Sequence, residues 1–139
     1  MPLRLSLGLI SLCLLAACGS DSSGPSLTLA GNYSATIFRV TPPGQASIDV
    51  LAAGGTLNID ITSAGATTGN ISIPASVTGA GSFSATMIGT ATLSGTTVTF
   101  TQSADTFVRD LAWTLSASGL SVSNQIVAGA TYTITLTRQ

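Results

Sequence analysis

Thr131-Tyr132-Thr133-Ile134-Thr135-Leu136-Thr137 sets a hydroxyl at every second position and an apolar side chain between. Successive side chains of a β-strand point to opposite faces, so this stretch reads as a strand with one wet face and one buried face. The same period runs back through the chain to Ala30. Tyr33, Ala35 and Ile37 alternate with Asn32, Ser34 and Thr36; Leu57, Ile59 and Ile61 with Asn58, Asp60 and Thr62; Ile71 and Ile73 with Asn70 and Ser72. Phe83, Ala85, Met87, Gly89, Ala91 and Leu93 form a longer run, and Val98 and Phe100 sit among threonines. Phe107, Leu111, Trp113 and Leu115 share one face of a sixth run, and Leu120, Val122 and Ile126 mark a seventh. No segment of this region carries a helical period. One-sided alternation of this kind belongs to antiparallel sheets that bury a single face.

The connections fall into two kinds. Ser63-Ala64-Gly65, Ser94-Gly95-Thr96 and Ala117-Ser118-Gly119 are tight and carry the glycine that hairpin turns need. Thr41 to Gly55, with Pro42-Pro43-Gly44, and Pro74 to Gly81 are long, and Ser103 to Asp105 is looser than a hairpin. In a meander these kinds alternate between ends, so the tight turns and both chain termini belong at one end and the longer loops at the other. Eight runs in this order predict an all-β fold, a small antiparallel up-and-down barrel, because closure removes exposed sheet edges. Gly89 in the middle of its run suits a strand that bends around a barrel. A two-sheet β-sandwich is the alternative.

Ahead of this region, Arg4 precedes an apolar stretch from Leu5 to Leu15, followed by Ala16, Ala17 and Cys18. Charge, apolar core and small residues in that order read as a secretory signal, and the stretch is shorter than the roughly 20 residues of a membrane span. Residues 1–17 are therefore expected to be a signal peptide, 18–29 a flexible tether rich in Ser, Gly, Asp and Pro, and 30–139 the folded domain. Cys13 lies in the signal, which leaves Cys18 as the one cysteine of the processed chain and no disulfide.

Charged residues make up 6% of the chain. Beyond the signal they are Arg39, Arg109 and Arg138 against Asp21, Asp49, Asp60, Asp105 and Asp110, with no Lys, Glu or His. That leaves no basic footprint for nucleic acid. It leaves no base to activate a serine, no histidine or clustered carboxylates for a metal, and no phosphate loop or nucleotide fingerprint. The expectation is a protein that is not an enzyme and carries no metal or cofactor.

Leu15-Ala16-Ala17-Cys18 resembles the lipobox of bacterial lipoproteins. The resemblance implies acylation of Cys18 and attachment to a membrane; a signal with a chance cysteine is the other reading. Gly19 stands where an Asp would resemble an inner-membrane retention signal, which implies the outer membrane. From Ala30 to Gln139 the pattern resembles the lipocalin-like proteins of the calycin group, in Gly31-Asn32-Tyr33, in the long first loop and in a late arginine, Arg138. Tyr33 stands where tryptophan is usual, and the C-terminal helix of that group is missing. The resemblance implies that Arg138 packs over Tyr33, a structural closure through a cation–π contact.

Strict alternation turns Arg39 inward after Ile37, Arg109 inward between Phe107 and Leu111, Gln102 inward after Phe100, and Asn124 inward after Val122. All four then ring the long-loop mouth. Two guanidiniums over an apolar interior would recognise a carboxylate or phosphate with a tail beneath it. The plain reading is that strand ends turn polar near solvent, with Asp105 or Asp110 pairing with Arg109. The functional expectation is a membrane-anchored lipoprotein whose barrel binds a small amphipathic or acidic ligand. The alternative is a structural or protein-interaction module of the envelope, with Phe38, Val40 and Ile88 as outward apolar contacts.

Overall fold

The computed structural model describes residues 27–139, so the signal peptide, Cys18 and most of the tether lie outside the described residues. The strands are β1 (Gly31–Thr41), β2 (Ile48–Asp49), β3 (Thr56–Ile61), β4 (Ala66–Ile73), β5 (Phe83–Thr86), β6 (Gly89–Ser94), β7 (Thr97–Gln102), β8 (Trp113–Leu115), β9 (Gly119–Val127) and β10 (Ala130–Arg138). One helical turn, α1 (Ala75–Thr78), precedes β5, and one 3-10 turn, Phe107–Asp110, precedes β8.

Antiparallel pairing runs β1, β3, β4, β6, β7, β8, β9, β10 and returns from β10 to β1. β5 and β6 hold β4 in one common register, Thr86 opposite Asn70 and Thr90 opposite Ala66, so they are two pieces of one wall strand. The result is a closed eight-stranded antiparallel barrel rather than a sandwich. β2 pairs with β1 on the edge that β3 uses further back, Ile48 opposite Val40.

The alternation places the core. Leu57, Ile59 and Ile61 of β3, Ile71 and Ile73 of β4, Val98 and Phe100 of β7, and Ile134 and Leu136 of β10 all point inward and are buried. Trp113 sits among them, edge-on to Phe100 at 5.9 Å between ring centres. Together they form a single contiguous cluster. An eight-stranded barrel is just wide enough for its own side chains, and here they fill it. Gly89 and Gly69 lie on neighbouring wall strands where a Cβ would collide with the Thr101 and Asn58 carbonyls, so only glycine lets the strands pass this closely.

Two bulges break the strict period. On β1, Ala35 faces Leu136 and Ile37 faces Thr135, which leaves Thr36 as an extra residue. Tyr33 is inward before it and Phe38 after it, while Ile37 is 41% exposed. On β9, Ser123 and Asn124 stand against the one residue Thr133, and Asn124 has a φ of 50°. Ile126, expected in the core, is therefore 71% exposed. A bulge reverses the face of everything beyond it, which single-period counting cannot anticipate.

The sixth run is also corrected. Phe107–Asp110 is a 3-10 turn rather than a strand, so Val108, not Phe107 or Arg109, is fully buried. The Trp113 indole N–H donates to the Val108 carbonyl at 2.9 Å and holds this turn against the core. Gln125 bridges the gap it leaves in the wall, since its amide both accepts from the Ala112 N–H (2.8 Å) and donates to the Ala112 carbonyl (2.6 Å).

The ends differ as expected. The turns at 62–65, 94–97 and 116–119 lie with Leu27–Ala30 and the C-terminal strand end, where the Arg138 N–H reaches Ser118 and the Gln139 N–H reaches Asn32. The long loops lie opposite.

The β9–β10 hairpin turns through Ala128 and Gly129 with φ of 49° and 83°. Positive φ at both positions is the turn that favours Asn-Gly, and an alanine there is strained. Ala128→Asn is expected to stabilise the protein by about 0.5–1 kcal/mol, read as a raised urea midpoint with unchanged slope.

Candidate functional site at the long-loop end

Three of the loops at this end each send one valine into the barrel. Val50 comes from the loop after β1, Val77 from α1, and Val108 from the 3-10 turn; all are buried. The Val50 N–H donates to the Phe38 carbonyl at 2.8 Å and the Gly55 N–H to the Val50 carbonyl at 2.8 Å, so the first loop folds back over the opening. Valines in loops carry no periodic signal, and the sequence offered nothing to mark these three as plugs.

Above the plugs, Phe107 stacks on Tyr132 with centroids 4.3 Å apart and lies 6.0 Å from Phe38. Beside this row an apolar cleft of about 200 Å³ is lined by Phe38, Val40, Pro42, Ile73, Val77, Thr78 and Tyr132. Burial disfavours the phenolate of Tyr132 and raises its pKa above the ordinary 10.0, so the phenol keeps its proton.

The four polar residues expected around the mouth do not meet there. The Thr36 bulge turns Arg39 outward, where its side chain is 60% exposed and lies 4.0 Å from Asp49. Arg109 rides the outer side of the 3-10 turn, 2.5 Å from Asp105 and 3.7 Å from Asp110. Asn124, in its bulge, accepts from the Thr133 hydroxyl at 3.2 Å on the outer wall. Gln102 alone points inward and is buried; its amide donates to the Met87 sulfur (3.3 Å) and accepts from the Thr106 hydroxyl (2.9 Å), so its polar atoms are occupied within the fold. Phe38 and Val40, read as outward apolar residues, face the core and the cleft instead, for the same reason as Arg39. Ile88 is outward and 54% exposed.

Both arginines of this end are thus already partnered by carboxylates. Pairs this exposed contribute little. Among the described residues no group of three or more His, Cys, Asp or Glu side chains is placed to hold a metal ion.

At the opposite end Arg138 is opposite Tyr33 across the seam. Its guanidinium donates to the Tyr33 hydroxyl at 2.7 Å and to the Thr28 carbonyl, and lies 5.3 Å from the Tyr33 ring centre. The Tyr33 hydroxyl in turn donates to the Leu29 carbonyl at 2.7 Å. Tyr33 is buried, and this pair straps residues 28–29 across the tight-turn end.

No family model, no curated protein and no solved structure matches this chain.

Arg138→Gln removes the bonds to Thr28 and Tyr33 together and is expected to cost about 1–3 kcal/mol in urea unfolding, with protease cleavage appearing first around residues 27–30. Tyr132 yields a pH signature. Its neutral form is the one the fold favours, so its contribution is intact below pH 10 and is lost as pH rises through the raised value. Stability measured from pH 8 to 12 should fall above 10, and Tyr132→Phe should remove the share of that fall due to this phenol.

Proposed function

We propose that this chain is a lipid-anchored protein of the bacterial cell envelope, acylated at Cys18, whose barrel is a non-enzymatic interaction module that works through its long-loop end. The observation that carries the reading is the filled interior. Trp113, Phe100, Leu111, Ile59 and their neighbours occupy the space a carried molecule would need, and Val50, Val77 and Val108 cap it. Recognition then falls to the outside of the barrel. Residues 27–30 run at the tight-turn end, so a lipid on the preceding tether would sit on that side and present the long loops away from the membrane.

The Leu15-Ala16-Ala17-Cys18 motif supports the anchor, and Gly19 supports the outer membrane as its destination. The meander topology and the Tyr33–Arg138 pair support a lipocalin-like origin of the barrel. A second reading keeps a small amphipathic ligand, favoured by the apolar cleft beside the Tyr132 phenol. At about 200 Å³ that cleft lies below the roughly 300–1,000 Å³ of ordinary ligand pockets, so it suits the end of a chain rather than a whole molecule.

Cys18→Ser, expressed in a bacterial host fed an alkyne fatty acid, should lose the label and leave the membrane fraction; retention of both would sink the anchor. A photo-crosslinker at Gln45, in the loop after β1, should give discrete adducts in intact cells, whereas one at Gly95, at the tight-turn end, should not. Equal adducts from both positions would reject the long-loop end as the working face. A small molecule that survives native mass spectrometry of the extracted protein, and is lost in Tyr132→Ala, would favour the second reading.

A further inference from the structure

The wall of the barrel is incomplete beside β5. β5 pairs with β4 along its whole length, Phe83 opposite Ile73, Ala85 opposite Ile71. Its other side belongs to β7, but β7 stops short. The last bond between them is from the Ser103 N–H to the Ile88 carbonyl at 3.1 Å, after which the chain turns away into the 3-10 turn at Phe107–Asp110.

The direction of each backbone group of β5 follows from two bonds at its end. The Met87 N–H donates to Gly69 on β4, and the Ile88 carbonyl accepts from the β7 side. In an antiparallel ladder, alternate residues turn both their N–H and C=O to the same neighbour. Phe83, Ala85 and Met87 therefore bond toward β4. Ser84 and Thr86 present their N–H and C=O groups to the side where β7 has ended, and among the described residues none pairs with them. Natural edges are usually blunted by Lys, Pro, an inward charge or a bulge. Phe83-Ser84-Ala85-Thr86 is short but has none of these.

We propose that the free edge of β5 is a strand-addition site that takes an extended peptide segment of another protein through the backbone of Ser84 and Thr86. Two donors and two acceptors at strand spacing are complementary to another extended backbone and to little else. Side chains alternate along the added strand. Those on its outer face meet the hydroxyls of Ser84 and Thr86, both exposed, and a nearby apolar contact in Ile88. Those on its inner face cover the half-buried Phe83 and Ala85. No charged residue lies in β5 or β4, so the fitting segment is uncharged and alternates hydroxyl with small apolar residues.

The choice of another protein over a second copy rests on the lipid-anchored reading above. Two β5 edges related by a twofold axis would pair antiparallel and set the two barrels end for end. Copies that both present their long loops away from the membrane stand parallel and do not adopt that arrangement.

The test uses the detergent-solubilised full-length protein, in which the anchor plays no part, so its outcome is independent of the Cys18 experiment. The probe is an end-blocked peptide of alternating threonine and valine. Amide exchange at Ser84 and Thr86 is expected to be fast without it and to slow about tenfold or more at saturation, with nuclear magnetic resonance shifts centred on β5. Ser84→Pro and Thr86→Pro each remove a donor that β4 does not use, so the fold is retained. Each is expected to weaken binding about tenfold. Ala85→Pro, which loses a bond to β4, should instead unfold more easily. Binding unchanged in both edge prolines, or shifts centred elsewhere, would overturn the site. Protection of Ser84 and Thr86 that grows with protein concentration and no peptide would overturn it in favour of a second copy.

Discussion

The pairing of β1 with β10 is the constraint on which the rest of this molecule depends. It converts a meandering sheet into a ring, and it does so with the first and last strands of the domain. Before that seam forms, the apolar faces of eight strand positions have only one another to approach in a flat stack. Once it forms, each inward side chain acquires neighbours from across the barrel, and the interior becomes one contiguous buried core. The Tyr33–Arg138 contact sits at one end of the seam and also binds residues 28–29, so closure and the path of that segment are set by the same residues.

That closure holds together a nearly uncharged fold whose described residues include no cysteine. Hydroxyls cover the outer wall, and several bond across strands: Thr92 with Thr99 at 2.7 Å, Thr36 with Thr137 at 2.9 Å. Such contacts supply register and wetting at once. A surface of this kind repels little, so the few places where backbone groups remain unpaired gain importance. The free side of β5 is such a place, in the same half of the barrel as the long loops.

The β3, β4 and β7 runs were readable because their period of two is unbroken between turns, and the interior positions of Leu57, Ile71 and Val98 follow from it directly. Gly89 reads as a bend in the sequence, whereas what the structure shows there is a close approach to the Thr101 carbonyl. The mouth was not legible. Arg39 and Asn124 were placed inward by counting through Thr36 and through Ser123-Asn124, and each of those sites holds one residue more than the partner strand. Arg109 was counted along a strand that is a 3-10 turn. The plainer reading of Arg109, paired with Asp105 or Asp110, is what the geometry contains.

The sequence by itself determined the class of fold, the order of its strands and which end holds residues 27–30 and the last strand's end, because alternation and turn chemistry are local properties that survive without knowledge of partners. Only the tertiary structure decided which residues line the ends of the barrel. A bulge exists only against a partner strand, and a loop valine becomes a plug only when an opening lies beneath it. The unpaired groups of Ser84 and Thr86 likewise arise from where β7 stops relative to β5, a relation between two strands that neither one carries alone.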